Sequence, residues 1–326
     1  MELIDKPIAQ LLVNHRDATG YFDPWLIEIA YQDHLEGESD GLEVKLDNSE
    51  GRWMNQWYPV KGTSIEAALG YEGRPLLSTG VCQVDEIELD GPPDVVTIRA
   101  LGAGNMTALR TSKSRAFEGK SLRSIAYEVA SYHSLTLVGE VPDVRWSRAT
   151  QHRETDLGFL NRIGAEHGIV FSVKGDKLVF HDLFALEKLP KVLSLTPADM
   201  TSYRFREKVV VSATEASYFD GTTKELRSTT ATMPENPHPD RHKVRRRTES
   251  KAHTQRLAQA AMHVKKSWER DATLTLPGNP QLVAGCNLEL TKFGVLDGLW
   301  LIRAARHSIT RGEGYRTELE VRHVAS

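Results

Sequence analysis

Pro24-Trp25-Leu26-Ile27-Glu28-Ile29-Ala30-Tyr31-Gln32-Asp33 alternates as a half-buried strand does. Trp25, Ile27, Ile29 and Tyr31 fall on one face, with Glu28 and Gln32 on the other, because successive side chains of a strand point to opposite sides. Leu42, Val44 and Leu46 repeat the pattern against Glu43, Lys45 and Asp47. Turn-forming clusters separate such runs at 36–41 (EGESDG), 47–51 (DNSEG), 71–75 (YEGRP) and 90–94 (DGPPD). Through Val81–Leu89 the apolar phase shifts, from Cys82 and Val84 to Ile87 and Leu89. One extra residue near Asp85–Glu86, a bulge, accounts for the shift and bends the strand. Short strands at this spacing predict a sandwich or barrel, and the bend favours a barrel.

Outward from this region the periodicity changes. From about residue 104 to 200, Ser121 is placed to cap a helix whose Leu122, Ile125, Ala126 and Val129 form one apolar stripe. Leu135–Val138 reads as a short strand. A second helix is expected from Thr155 or Asp156, with Leu157, Leu160 and Ile163 inward and Gly168 as its stop. A hairpin follows, Ile169–Val173 and Leu178–His181 around Lys174-Gly175-Asp176. From about 201 the chain is β-rich again, with Lys208–Phe219 and Glu225–Thr232 flanking Asp220-Gly221. Residues 233–249 read as a polar loop, and Leu257, Ala261, Val264 and Trp268 mark a helix from about 250 to 269. Leu299–Ile309 and Tyr315–His323 close the chain as a hairpin around Gly312-Glu313-Gly314. The expected fold is α+β and mainly β. It has an N-terminal antiparallel β-barrel domain (1–103), a small α/β insert domain (104–200) and a C-terminal β-barrel domain (201–326), the last interrupted by a loop and helix at about 233–269.

The bulk numbers set limits on function. A chain of 326 residues exceeds one ordinary core. A net charge of −3 lacks the basic surplus a general nucleic-acid coat needs. The N-terminus carries Glu2 and Asp5 where a signal peptide needs basic residues, and no apolar run approaches the roughly 20 residues of a membrane span. Cytoplasmic synthesis without a membrane anchor is the expectation. Cys82 and Cys286 are far apart, sit in strand-like runs and read as buried thiols.

Catalytic signatures are absent: there is no GxSxG, no phosphate-binding Gly-Lys-Ser/Thr loop, no HExxH and no paired CxxC. Gly102-Ala103-Gly104 lacks the third glycine of a dinucleotide fingerprint, having Thr107 there, and reads as a turn. His238 and His242 have metal-like spacing but lack further ligands at fitting offsets. No catalytic residue, cofactor or metal is expected. Arg241, Lys243, Arg245, Arg246 and Arg247 form the sharpest charge feature. A solvated loop is its simplest reading and a docking contact to an acidic partner the functional one. Without interleaved aromatics, specific nucleic-acid binding is not expected.

Two stretches carry a resemblance. Ser114-Arg115-Ala116-Phe117-Glu118-Gly119-Lys120-Ser121-Leu122-Arg123-Ser124-Ile125 and Gln151-His152-Arg153-Glu154-Thr155-Asp156-Leu157-Gly158-Phe159-Leu160, with the latter continuing to Gly168, resemble two segments of the phage late control protein D family. The matches cover roughly residues 112–182, and Gly158 and Gly164 inside the second helix depart from the pattern. The resemblance implies a structural baseplate hub protein of a contractile phage or phage-like tail. Two tube-like barrels per chain would assemble as a homotrimer that adapts a sixfold tube to a threefold spike. Implied partners are the central spike protein, the tail tube or tube-initiator protein, other baseplate proteins and a tape-measure protein, within a virion or phage-like particle. The motif residues then have folding roles: Phe117, Leu122, Ile125, Phe159 and Leu160 in packing, Glu118, Gly119 and Gln151 as motif positions, Asp156 as a helix cap and Gly168 as a stop. Two other readings are a cell-wall-degrading tail enzyme and a DNA-binding late-gene regulator. The first finds no appended domain after the last strand, and the second finds no helix-turn-helix or basic face.

Overall fold

The computed structural model describes residues 5–36, 39–102, 111–141, 144–165, 167–208, 213–220, 225–232, 241–244, 254–255, 257–262 and 269–324. The chain is mainly β, and its described residues are organised around a sheet of 13 strands. Its N-terminal part holds β1 (Pro7–Val13), β2 (Arg16–Asp17), β3 (Leu26–His34), β4 (Gly41–Asp47), β5 (Ser64–Tyr71), β6 (Leu77–Asp90) and β7 (Val95–Gly102), with the single-turn helix α1 (Thr19–Phe22) after β2. All pairings among these strands are antiparallel. Inward residues of β1 and β3–β7, among them Leu11, Ile29, Val44, Ile65, Cys82 and Ile98, form one hydrophobic cluster. The β6–β7 register slips between Val84 and Glu86, where the sequence places the extra residue.

Next along the chain come β8 (Lys113–Glu118), α2 (Leu122–Tyr132), β9 (Thr136–Val138), β10 (Arg148–Glu154), α3 (Asp156–Ala165), β11 (Ile169–Lys174), β12 (Lys177–Asp182) and the short helix α4 (Leu183–Leu186). The apolar stripe of α2 faces Phe117, Phe159, Leu160, Phe171 and Phe180 in a second cluster. Ser121 caps α2, its side chain accepting from the Ser124 amide at 3.2 Å. β9 joins the β11–β12 hairpin in parallel.

A third cluster lies inside β13 (Lys191–Leu195), β14 (Ser202–Glu207), β18 (Arg270–Pro277), β19 (Asn287–Leu290), β20 (Gly298–Thr310) and β21 (Gly314–His323), around Trp300, Leu274, Ile302 and Leu319. β13 pairs in parallel with β19, so residues 191–195 join the C-terminal strands. β15 (Ala213–Asp220), β16 (Glu225–Thr232) and β17 (Arg241–Val244) form a separate sheet. The expected strand 208–219 is present as β15, antiparallel to β16 with Asp220 opposite Glu225, and β14 is a further strand before it, in the large sheet. Part of the expected 233–249 loop is strand: β17 runs parallel to β15, from Arg241 opposite Ala213 to Val244 opposite Ala216. Helical backbone occurs at 254–255 and 257–262, while Val264 and Trp268 lie outside the described residues.

The two β parts are one sheet. β20 pairs with β3 from Ala304 opposite His34 to Thr310 opposite Glu28. The path also curls: Tyr71, on β5, lies 5.4 Å from Tyr315, on β21, although β20, β3, β4, β7 and β6 separate those strands in the order. At the same place the backbone passes so close to Tyr315 that a Cβ on Gly278 would fall 2.0 Å from its ring, so only glycine fits.

Candidate functional site

The residues singled out by the motifs meet inside the α/β unit. β8 and β10 are an antiparallel pair that sets Phe117 opposite Ala149 and Arg115 opposite Gln151. The Phe117 ring stacks on Phe159 with centroids 5.4 Å apart. Leu122, Ile125, Phe159 and Leu160 are all buried. Glu118 is exposed, Gly119 turns the chain at φ 61°, and Gly168 does so at φ 70° against the Phe184 ring.

Asp156 is completely buried and is not the cap of α3. Thr155 does that work, its Oγ1 accepting from the Gly158 amide at 3.0 Å. Asp156 instead gathers four donors. Oδ1 accepts from Arg115 Nη2 at 2.7 Å and Gln151 Nε2 at 2.8 Å, while Oδ2 takes Lys113 Nζ at 2.6 Å and His133 Nε2 at 2.8 Å. Gln151 is oriented by its other bonds, accepting from Arg115 Nε at 2.8 Å and donating to the Glu154 carbonyl at 2.9 Å. Burial alone would raise the Asp156 carboxyl's pKa. The bonds from Lys113, Gln151 and His133 and the Arg115 charge outweigh that and hold it below the usual carboxylate value. Beside it, Arg162 grips Glu154 through two bonds of 3.0 Å. This arrangement clasps the β8–β10 pair, α2 and α3 together, with both Asp156 oxygens occupied inside it, while His133 Nδ1 is buried without a described hydrogen-bond partner.

A second buried ionic group joins the α/β unit to the sheet. Lys174, at the end of β11, reaches Asp33 on β3 and lies 3.3 Å from Asp40. Asp40 accepts from Tyr31 Oη at 2.8 Å and the His34 amide at 3.0 Å. Asp33 also accepts from the Ala284 amide at 2.7 Å, so one carboxylate touches all three parts of the chain. Burial would lower the Lys174 pKa, but Asp33 and Asp40 outweigh it and hold it raised. Around this group, Arg322 meets Glu187 and Arg303 meets Glu36, each at 3.1 Å. Leu35, Val170, Leu183, Leu186 and Leu301 pack as an apolar seam. Sequence reasoning missed this contact. Its one local signal was an acid, Asp33, standing at an inward position of an alternating strand.

Of the basic run, Arg241 and Lys243 lie on β17, while Arg245, Arg246 and Arg247 fall outside the described residues. Cys82 is buried, which pushes its thiol up to about 12, and Cys286 is half-buried. Among the described residues no group of three or more His, Cys, Asp or Glu is placed to hold a metal, and no helix is long and apolar enough to cross a membrane.

Comparison with known proteins gives this arrangement a family. The chain is 30% identical over 176 residues, 53% of its length, to the probable baseplate hub protein of Escherichia phage 186. The match takes in 44% of that relative, so the chain spans less than half the length of the curated protein it matches. In fold it is similar to a tail protein from Neisseria meningitidis MC58, with a TM-score of 0.74 at 11% identity, covering 98% of this chain and 97% of that one. It is also similar to an E. coli type VI secretion component described as resembling bacteriophage T4 tail proteins, with a TM-score of 0.59 at 12% identity, covering 98% and 77%. The family model described as phage tail baseplate hub (GPD) matches residues 64–313, which take in part of every unit described above, and the chain belongs to that family.

Proposed function

We propose that the chain is a structural hub of a contractile phage or phage-like tail, working as a homotrimer that adapts a sixfold tail tube to a threefold central spike. The observation that carries this reading is where the motif residues go. They pack into a core around a buried carboxylate, Asp156, whose two oxygens are taken up by four side chains of the same unit, which is the chemistry of a scaffold and not of a site that takes a substrate. Two β parts flank the clasped unit, each around its own hydrophobic cluster. Three chains with two such parts each supply six repeats around a threefold axis. The proposed division is 1–103, 104–200 and 201–326, with the α/β unit as a brace against the sheet.

In the particle the partners are the spike protein, the tube or tube-initiator protein, other baseplate proteins and a tape-measure protein. Arg241, Lys243, Arg245, Arg246 and Arg247 are candidate contacts to an acidic neighbour, because Arg pairs with carboxylates through a directional fork. The test is the symmetry of the hub in purified tails, by electron cryomicroscopy. Three copies around the spike are expected; six copies or one would overturn the adapter reading.

A further inference from the structure

Among the described residues, β14 and the far half of β6 each leave one edge of the large sheet unpaired, and these two edges carry opposite charge. At one end of the strand order, β14 pairs with β18 on one side and with no described residue on the other. Elsewhere β6 outruns β5. That ladder ends with Gln83 opposite Ser64, Gly62 and Thr63 bond to Val84, and β6 then continues to Asp90 against β7 alone. Within one chain these edges are far apart in the sheet, with β18, β21, β20, β3, β4 and β7 between them.

The side chains of the two edges follow the same plan. On β14, Phe205 packs against the C-terminal cluster, so Arg204 and Arg206 on either side of it point to the opposite face, where both are exposed. On β6, Ile87 packs against the N-terminal cluster, so Glu86, Glu88 and Asp90 point to the opposite face and are exposed. Each edge thus has an apolar row toward a core and a charged row toward solvent, at the same two-residue spacing. Exposed apolar side chains stand on both core-facing rows: Tyr203, 51% exposed, on β14 and Leu89, 44% exposed, on β6. Charge is unbalanced on both. Glu86 and Glu88 share Arg99, which Glu43 also holds, and among the described residues Arg206 has only a 3.7 Å contact with Asp271. An open edge invites strand pairing, and like charges along it repel a second copy of the same edge. They attract a strand of opposite charge at the same spacing.

We propose that these two edges pair with each other between copies of the chain: the Glu86–Asp90 segment of β6 in one copy adds to β14 of the next, setting its acids beside Arg204 and Arg206. This contact is head-to-tail, using different surfaces on the two copies, which is the geometry that closes into a ring. The faces agree across the junction. Continuing the sheet keeps both charged rows on the outer face and brings Leu89 beside Tyr203 on the inner one. The inference rests on the trimeric hub proposed above and supplies its subunit contact.

Sedimentation and native mass spectrometry of the full chain, over a range of protein and salt concentrations, test it. The unmodified chain is expected to self-associate, more weakly as salt screens the pairing. Arg204→Glu with Arg206→Glu should raise its dissociation constant by about tenfold or more, because Glu86, Glu88 and Asp90 then face two further acids. Circular dichroism and melting should match the unmodified chain. Adding Glu88→Arg and Asp90→Arg to that variant gives the acids at 204 and 206 two basic partners and should recover assembly. A chain that stays monomeric throughout, a double variant that assembles normally, or a quadruple variant that does not recover would each overturn the proposal. The symmetry of hubs in tails is a separate measurement, so a hub of three copies with unaffected variants would sink this contact alone.

Discussion

At Asp156 a single carboxylate accounts for most of what holds the motif halves together. Removing its charge leaves Lys113, Arg115 and His133 without their common partner. Breaking a fully buried pair costs about 3–5 kcal/mol, but Lys113 and Arg115 keep 20% and 32% of their side-chain surface and recover some hydration. Asp156→Asn is therefore expected to cost ~2 kcal/mol at neutral pH, measured by urea unfolding. The pH dependence has a definite sign. The folded carboxyl sits below its ordinary value of 3.8, so its contribution is complete above 3.8 and disappears as pH falls through the lower folded value. The gap between the two proteins should close in that acid range and stay constant above it. A variant as stable as the original at pH 7 would show that the clasp contributes nothing. The sequence makes Phe117, Phe159 and Ser121 readable, because apolar period and capping are local. It misleads at Asp156, since an acid beginning a helix usually caps it, and nothing local shows Lys113 and His133 arriving from elsewhere in the chain.

Helix α3 shows two local preferences in conflict. Gly164 inside a helix is unfavourable by about 0.5–1 kcal/mol relative to Ala, which sequence reasoning sees as a defect. Packing reverses the sign: a Cβ there would lie 2.9 Å from the Ile169 carbonyl oxygen, on the backbone of β11. Gly164→Ala should thus destabilise the protein by about 1 kcal/mol or more, as overpacking does. Gly158→Ala is the comparison, since its Cβ meets only the Thr155 side chain, at 3.0 Å, and it should cost less. Paired thermal melts decide it; a more stable Gly164→Ala would mean that α3 and β11 have room to spare. At this scale alternation made β3, β4, β20 and β21 legible, and the phase shift in β6 located its bulge. β17 was not, because Arg241-His242-Lys243-Val244 has no apolar row to reveal a strand. β13 hid for another reason: Leu193 and Leu195 alternate, but the strand is short and its described partner, β19, comes from far along the chain.

Across the whole molecule, cooperativity depends on contacts that no local pattern records. β3 and β20 pair although most of the chain lies between them, and Asp33 binds both Lys174 and the Ala284 amide. Such a three-way contact makes the α/β unit, the N-terminal strands and the C-terminal strands share one another's stability instead of melting apart. Units joined by a large, partly apolar seam unfold together, whereas units that lose it unfold at their own temperatures. Lys174→Met keeps much of the aliphatic stem but leaves Asp33 and Asp40 facing each other, buried, without a cation. The α/β unit keeps its own cluster and the Asp156 clasp, so it should remain folded at ambient temperature. The expected result by calorimetry is one main transition for the original chain and two for Lys174→Met. Hydrogen exchange should rise first in β11, β12 and the residues around Asp33. Asp33→Asn in the same background removes one of the two facing charges and should move the transitions back together. A single unshifted transition in Lys174→Met would mean that the apolar seam of Leu35, Val170 and Leu301 couples the units without help from the ions.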